Sequence, residues 1–407
     1  MAAVPKRNCE FNVHGLKTGA YISCIWMSEI SLPVSLGEAL DKLTILDIKC
    51  SKIADIERSA SAKKEYDILY AILREFVTKY AWHYKVLREV NLAIWDQQDK
   101  FHGQAEGAAK PTEVELGQIC SVILDENDRR FRVKAKINHI TSSTLREVKG
   151  YAKKKAFFYG HLGLGDMFWL NGAVRWLATC YDEVLVVCKE KYGVNVAALY
   201  ADDPTIKLHL IDDDGKMEPF FLHHRGQWEA KGYTVYACGN HLINPFEVPT
   251  KPWVYDFPYS FYDDMKIPRS VRQDYFYIPT NPESDALVRL VKRWSSRYII
   301  VHQQSQNKRL EIWDKVARSG TQEPIFDLNE NHYDFGHPYY ILAEMVVNKP
   351  LYMYKGLLEQ AAEIHLLESS VYCMASHLDL SGVAVKKCYD AFDSSNERIG
   401  VFETATL

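Results

Sequence analysis

Four stretches of this chain carry residue types that can do chemistry. The first is His161-Leu162-Gly163-Leu164-Gly165-Asp166, placed between an apolar run and a helical pattern. Glycines there permit a tight strand-to-helix turn and let a ligand approach backbone N–H groups at the helix start. Asp166 is then either a first-turn carboxylate stabilised by the helix dipole or, facing a cleft, a general base that takes a proton from an acceptor hydroxyl, with His161 assisting. No glycine stands at Phe168, so this is not the dinucleotide fingerprint. The second stretch, His302-Gln303-Gln304-Ser305-Gln306-Asn307-Lys308-Arg309, follows an apolar strand. Polar residues at a strand's carboxyl end sit where α/β folds bind ligands. Lys308 or Arg309 would neutralise a diphosphate leaving group; a solvated loop is the alternative. The third, Ala361-Ala362-Glu363-Ile364-His365-Leu366-Leu367-Glu368-Ser369-Ser370, runs through a strand into a helix start. Ser369 and Ser370 either cap that helix or offer hydroxyl and N–H groups to phosphate. The fourth, Asp212-Asp213-Asp214-Gly215, would hold a divalent cation through its carboxylates or is an acidic turn, and the turn is favoured. Arg129-Arg130-Phe131-Arg132 reads as a solvated or salt-bridged helix face rather than an anion site.

The elements that must position these residues fall into two patterns. From Ser35 to about Ile140 the period is helical. Ser35-Leu36-Gly37-Glu38 has the form of a capping box, the serine capping and the glutamate reaching back. A second helix is expected from about Ala62 to Phe101, a loop over Gly103 to Pro111, and a third helix from about Thr112 to Ile140. Three long helices with short links predict an antiparallel bundle. After Lys155, strands at Ala156–Tyr159, Glu183–Cys188, Ile206–Ile211 and Tyr233–Ala237 alternate with helices, one of them from about Met167 to Cys180. That alternation predicts a parallel sheet. A Pro- and Tyr-rich stretch from about Asn244 to Pro282 interrupts it, and a second alternating unit starts at Tyr298. It continues through Pro324–Phe326, a helix near Glu359, Ile364–Leu367, a helix from Ser370 and Val383–Tyr389. Two such lobes facing one another would make a ligand cleft between strand carboxyl ends. The expected division is a flexible extension over 1–32, an all-helical domain over 33–152, a first Rossmann-like lobe with the connection over 153–282, and a second over 283–407.

Bulk properties exclude several classes. With 49 Lys+Arg against 53 Asp+Glu in 407 residues, there is no electrostatic case for nucleic acid. Nine cysteines, an odd number without a CxxC pair, indicate neither a disulfide framework nor a zinc site. Scattered thiols fit a cytosol-like compartment. No run approaches the ~20 apolar residues that span a bilayer. The apolar stretch at 19–27 is short and lacks a following cleavage site, so no signal peptide is read there. Met27 is a plausible natural start, with the preceding residues an extension or an upstream-start artefact.

The motifs also carry a resemblance. Tyr159-Gly-His-Leu-Gly-Leu-Gly-Asp166 followed by Asn171-Gly-Ala-Val-Arg175, then Phe261-Tyr-Asp-Asp with Val271-Arg-Gln-Asp-Tyr-Phe-Tyr-Ile-Pro279, then Ala362-Glu-Ile-His-Leu-Leu-Glu-Ser-Ser370 resemble a group of bacterial and viral glycosyltransferase-like proteins. The glycine turn is similar to that of heptosyltransferases. The resemblance covers about residues 155 to 395, with the three motifs in the right order. It implies a GT-B fold, donor binding mainly in the second lobe and metal-independent transfer. Asp166 becomes the base, and Arg309 or Lys308, with Ser369 and Ser370, the donor-phosphate candidates. From their positions along the chain, His302, Gln303 and Glu363 join the donor-side candidates, and Gly163 and Gly165 shape the cleft turn. The chain departs from the family at the turn after the second-lobe strand. An aspartate-proline-serine-arginine-like turn is expected there, and Gln303-Gln304-Ser305-Gln306-Asn307-Lys308-Arg309 stands instead. Val34 to Lys49 and Asn127 to Asn138 resemble a helical domain of unknown function found alone or beside glycosyltransferase modules.

The expectation is therefore an α/β two-lobed GT-B protein behind an all-α domain. It would transfer a sugar from a nucleotide-sugar donor to a glycan or other hydroxyl acceptor by inversion. No cofactor or divalent cation is expected, nor nucleic acid or a membrane span. A homodimer through the helical domain and a cytoplasmic location, host cytoplasm if viral, complete it. The alternatives are a non-catalytic glycan- or nucleotide-binding module, a nicotinamide-dependent enzyme, which the missing third glycine disfavours, and a metal-dependent transferase using Asp212 and Asp214.

Overall fold

Helix starts in the first third of the chain are set by side chains that satisfy the amide groups a helix leaves unpaired. In the computed structural model, which describes residues 32–102, 111–150, 152–160, 163–212, 225–239, 257–306, 308–389 and 402–405, helix α1 spans Leu36–Lys52. Ser35 Oγ accepts the Glu38 N–H at 3.3 Å. Glu38 does not reach back as a capping box requires; its carboxylate takes Lys134 Nζ at 2.7 Å. The full box occurs instead at α4, Glu113–Ile140, where Thr112 Oγ1 accepts the Glu115 N–H at 3.3 Å and Glu115 accepts the Thr112 N–H at 2.7 Å.

Between them the single helix expected over 62–101 is two, α2 at Ile56–Lys79 and α3 at Ala81–His102. Tyr80 leaves helical geometry at φ −114°, ψ 35°. The break has a packing cause. α2 buries only Ala62 and Leu73, whereas α3 buries His83, Val86, Leu87, Val90, Asn91 and Ile94. A change of course at Tyr80 lets α3 turn its whole apolar stripe inward. The expected loop at 103–111 lies outside the described residues except for Pro111.

The α/β part contains two all-parallel sheets. The first holds β1 Lys155–Tyr159, β2 Glu183–Lys189, β3 Ile206–Ile211 and β4 Tyr233–Ala237, in the order β3-β2-β1-β4. β1 is buried almost throughout, as parallel strands covered on both faces are. The helix expected from Met167 to Cys180 is two pieces, α5 at Leu164–Trp169 and α6 at Asn171–Cys180, joined at Leu170. α7, Gly193–Leu199, follows β2. Beyond β4 come α8, Phe257–Asp264, and α9, Val271–Asp274.

The second sheet holds β5 Ile299–His302, β6 Ile325–Asp327, β7 Glu363–Leu367, β8 Val385–Tyr389 and β9 Glu403–Ala405, in the order β6-β5-β7-β8-β9. Around it lie α10 Pro282–Trp294, α11 Ile312–Ala317, α12 Tyr340–Val346, α13 Lys355–Glu359 and α14 Ser370–Ala375. Each sheet reverses its strand order beside its first strand, between β1 and β4 and between β5 and β7. Such reversals open a crevice at the strands' carboxyl ends. One hydrophobic core runs from Leu40, Leu87 and Ile137 through Phe157 and Phe158 to Ile300 and Leu366. Among the described residues, no helix is long and apolar enough to cross a membrane.

The helical part is fastened to the first sheet by buried charge. Arg175 of α6, fully buried, donates to both oxygens of Asp202 at 3.0 and 2.7 Å and to the Leu199 carbonyl at 2.5 Å. Its guanidinium carbon lies 5.6 Å from the Trp82 ring and 5.1 Å from the Tyr277 ring, which stack on one another. Lys136 of α4 pairs with Asp203 at 2.5 Å. The Arg129–Arg132 stretch is salt-bridged, as read. Arg130 meets Asp41 within the bundle, Arg132 reaches Asp182 at 2.8 Å, and Arg129 reaches Tyr275 Oη at 2.7 Å.

Burial pushes the Asp202 carboxyl upward, but the Arg175 charge and the Arg175 hydrogen bonds, with His83 Nε2 3.6 Å away, outweigh it and hold it well below the usual carboxylate range. Arg175→Met, which strands Asp202, should therefore cost about 3–5 kcal/mol at pH 7 in urea unfolding. A depressed carboxyl stabilises the fold above its unfolded pKa of about 4 and loses that contribution as pH falls. The gap between variant and wild type should accordingly narrow below pH ~4.

Candidate functional site

The chain leaves β1 into the turn that opens α5. Gly163 sits at φ −66°, ψ 146°, a conformation any residue adopts. Its glycine leaves space for the Asp166 carboxylate, since a Cβ would stand 2.6 Å from Asp166 Oδ2 and displace it. That oxygen accepts the Gly163 N–H at 3.2 Å, so Asp166 folds back onto its own turn. At Gly165 a Cβ would lie 3.0 Å from Cys373 Sγ and 3.6 Å from Ser370 Cα. The room made by the two glycines faces the Asp166 carboxylate at Gly163 and α14 at Gly165. The contact also joins the two sheet units, because α5 follows β1 and α14 follows β7. His161 lies outside the described residues.

Across this contact, His302 ends β5 and Ser369 follows β7, the two strands that flank the second reversal. Ser369 does not cap α14 through its side chain; its Oγ lies 3.2 Å from His302 Nδ1. Burial pulls His302 down to about 4. The imidazole is thus neutral near pH 7 and acts as a hydrogen-bonding group. Asp166, His302, Ser369 and Ser370 therefore belong to one neighbourhood around the α5–α14 contact.

Other sequence candidates stand elsewhere. Gln303 is buried, with its carbonyl oxygen accepting the Trp313 N–H at 2.9 Å and its amide nitrogen 3.2 Å from His332 Nε2. Lys308 and Arg309 are exposed in a loop closed by a bridge between Gln304 and Arg309. Arg309 leans toward the β6 side, paired with Glu330 at 2.6 Å. Glu363 does not join the group. It opens β7, next to His365 at 3.1 Å, so roughly 13 Å of strand separates it from the carboxyl end. Asp212 is exposed past β3, the edge strand two places from β1, and Asp214 lies outside the described residues. Among the described residues no group of three or more His, Cys, Asp or Glu side chains could hold a metal ion.

Two features escaped sequence reasoning. At the end of β4, Gly239 (φ 105°) donates its N–H to Asp264 Oδ2 at 3.0 Å, and burial raises the Asp264 carboxyl. This places a second carboxylate at the β1/β4 reversal, and its only sequence signal is the Phe261-Tyr-Asp-Asp264 motif. The other feature is Arg272 on α9, whose Nε–H donates to His377 Nε2 at 3.0 Å. His377 Nδ1 in turn lies 2.8 Å from the Cys373 carbonyl, which fixes a neutral ring with its proton on Nδ1. Burial, then the Arg272 charge, pull His377 down to about 3.

No protein-family model matches the chain, and no curated protein matches it. Solved structures similar to it include a family 9 glycosyl transferase from Veillonella parvula, at 11% identity over 64% of this chain and 88% of that one, with a TM-score of 0.40. Another is the iron-containing dodecameric glycosyltransferase TibC from enterotoxigenic E. coli, at 15% identity over 64% of this chain and 63% of that one, TM-score 0.38. TibC in complex with ADP-D-β-D-heptose matches at 16% identity over 57% of this chain and 58% of that one, TM-score 0.34.

Buried, neutral His302 sets an acid limit. A histidine whose folded pKa lies below its unfolded value of about 6.5 stabilises the fold fully above that value and loses the contribution as pH falls. His302 alone should cost up to about 3 kcal/mol between pH 6.5 and 4. Unfolding midpoints recorded across that range should fall less steeply for His302→Asn than for wild type.

Proposed function

We propose that the chain is a glycosyltransferase of the two-lobed GT-B kind. In this reading residues 33–152 form a helical domain, 153–282 the acceptor-side lobe and 283–407 the donor-side lobe. The observation that carries it is the direct α5–α14 contact, which brings the carboxyl end of β1, with Asp166, against the carboxyl ends of β5 and β7, with His302 and Ser369. The ordered motifs around Asp166, Arg272 and Ser369 support the same reading.

In the proposed reaction Asp166 takes the proton of an acceptor hydroxyl as that oxygen attacks the anomeric carbon. The bond to the nucleoside diphosphate breaks on the opposite face, and the configuration inverts. The Gly163 N–H fixes the orientation of the Asp166 carboxylate. Neutral His302 and the Ser369 and Ser370 hydroxyls serve as polar contacts to the donor, and no step calls on Asp212 or a metal ion. One observation favours a second reading, a binding module without turnover: Asp166 is engaged as the cap of its own helix.

Incubating the full chain with a panel of sugar nucleotides and measuring nucleotide release separates these. Transfer predicts release that falls about 10²–10⁴-fold in Asp166→Asn. Binding to a sugar nucleotide with no release selects the second reading. If Asp264→Asn abolishes release while Asp166→Asn leaves it intact, the base is Asp264 and the assignment of Asp166 fails.

A further inference from the structure

The described residues include five buried cationic side chains: Arg132, Lys134, Lys136, Arg175 and Arg272. Four are matched by carboxylates. Arg132 has Asp182, Lys134 has Glu38 and Glu147, Lys136 has Asp203, and Arg175 has Asp202. Arg272, at 1% exposure, differs. Its Nε–H is held by His377, while Nη1 and Nη2 are buried with no hydrogen-bond partner among the described residues. The groups that act on it most strongly are Tyr259, Tyr262, Cys373 and Tyr372, none of them a carboxylate. Nor can His377 supply charge, since its two nitrogens are committed as a neutral acceptor and donor.

Leaving a guanidinium buried and unmatched is costly, so such a group is retained where something else completes it. The geometry shows what would fit. The Trp169 ring lies 4.2 Å from the guanidinium carbon and the Tyr259 ring 4.9 Å from it. Aromatic contacts and the bond to His377 hold the plane and leave the Nη1–Nη2 edge as the free fork. Two parallel N–H donors of that kind match the oxygens of a phosphate group. The location fits as well. Trp169 ends α5, His377 lies just past α14, and Cys373 between them feels the charges of Asp166, Glu368 and Arg272 together.

We propose that Arg272 is the anion-binding group of the seam between the two sheet units, taking a phosphate of a diphosphate ligand on its Nη1–Nη2 edge. Naming a diphosphate rests on the glycosyltransferase reading, in which a nucleoside diphosphate is the leaving group. Exposed Lys308 and Arg309 then have no part in neutralising it.

Calorimetric titration of the full chain at constant ionic strength tests this with inorganic phosphate, pyrophosphate, and UDP, ADP and GDP. Wild type should bind pyrophosphate and at least one nucleoside diphosphate, and inorganic phosphate more weakly. Arg272→Lys keeps the charge and loses the fork, and Arg272→Met loses both; each should weaken pyrophosphate at least tenfold. Without anion, Arg272→Met should melt no lower than wild type, because it removes an unmatched charge. The proposal is overturned if wild type binds no pyrophosphate, if either variant weakens it less than tenfold, or if inorganic phosphate binds as tightly as pyrophosphate. A lower melting point for Arg272→Met overturns it too, by showing the guanidinium to be a structural strut. Diphosphate binding lost in the variants but with no nucleotide release from sugar nucleotides by wild type would sink the transfer reading and leave the Arg272 site standing.

Discussion

The architecture turns on one close approach. The carboxyl ends of β1 and β7 meet where α5 packs on α14. The absence of a side chain at Gly165 permits this. α5 lies against α14 there with Cys373 Sγ only 3.0 Å from where a Cβ would be. A methyl group at position 165 would require Cys373 Sγ to give by a few tenths of an ångström. Gly163 works on a smaller scale, leaving room for the carboxylate that seals the start of α5.

A second layer of constraint comes from the helical part, which contributes none of the candidate residues. Its buried ion pairs are expensive to form and act together through geometry. Arg129 holds Tyr275, the Trp82 ring stacks on Tyr277, and Asn171 Oδ1 accepts the Tyr277 N–H at 2.9 Å. Gly172 makes the same junction close, since a Cβ there would meet the Val271 carbonyl at 2.5 Å. These contacts clamp the segment that carries Arg272. The helices thus support the seam from behind, and their role is to hold α9 in place.

Much of this was legible in the sequence where the signal is local. Strands are short runs rich in apolar and β-branched residues, and even the half-exposed edge strands Ile206–Ile211 and Tyr233–Ala237 have the bounds expected for them. Helix breaks at Tyr80 and Leu170 left no trace, because neither involves proline or glycine at the break and both answer to packing. Asp166, His302 and Ser369 could be named because each follows a recognisable strand. Glu363 shares a motif with Ser369 and Ser370 but opens its strand, and a residue opening a parallel strand belongs at the other end of the sheet. Glu38 was drawn from its expected cap by Lys134, 96 positions away. Arg272 and His377 are 105 positions apart, and nothing in the local pattern of either marks the pair.

The packing at Gly165 also bears on how such a chain can change over generations. The volume available at the α5–α14 crossing is shared between positions 165 and 373. Enlarging one tightens the space left to the other. Glycine opposite a thiol is one solution to that exchange, and alanine opposite a smaller residue than cysteine is another. Paired replacement at these two positions would be the heritable imprint of the seam.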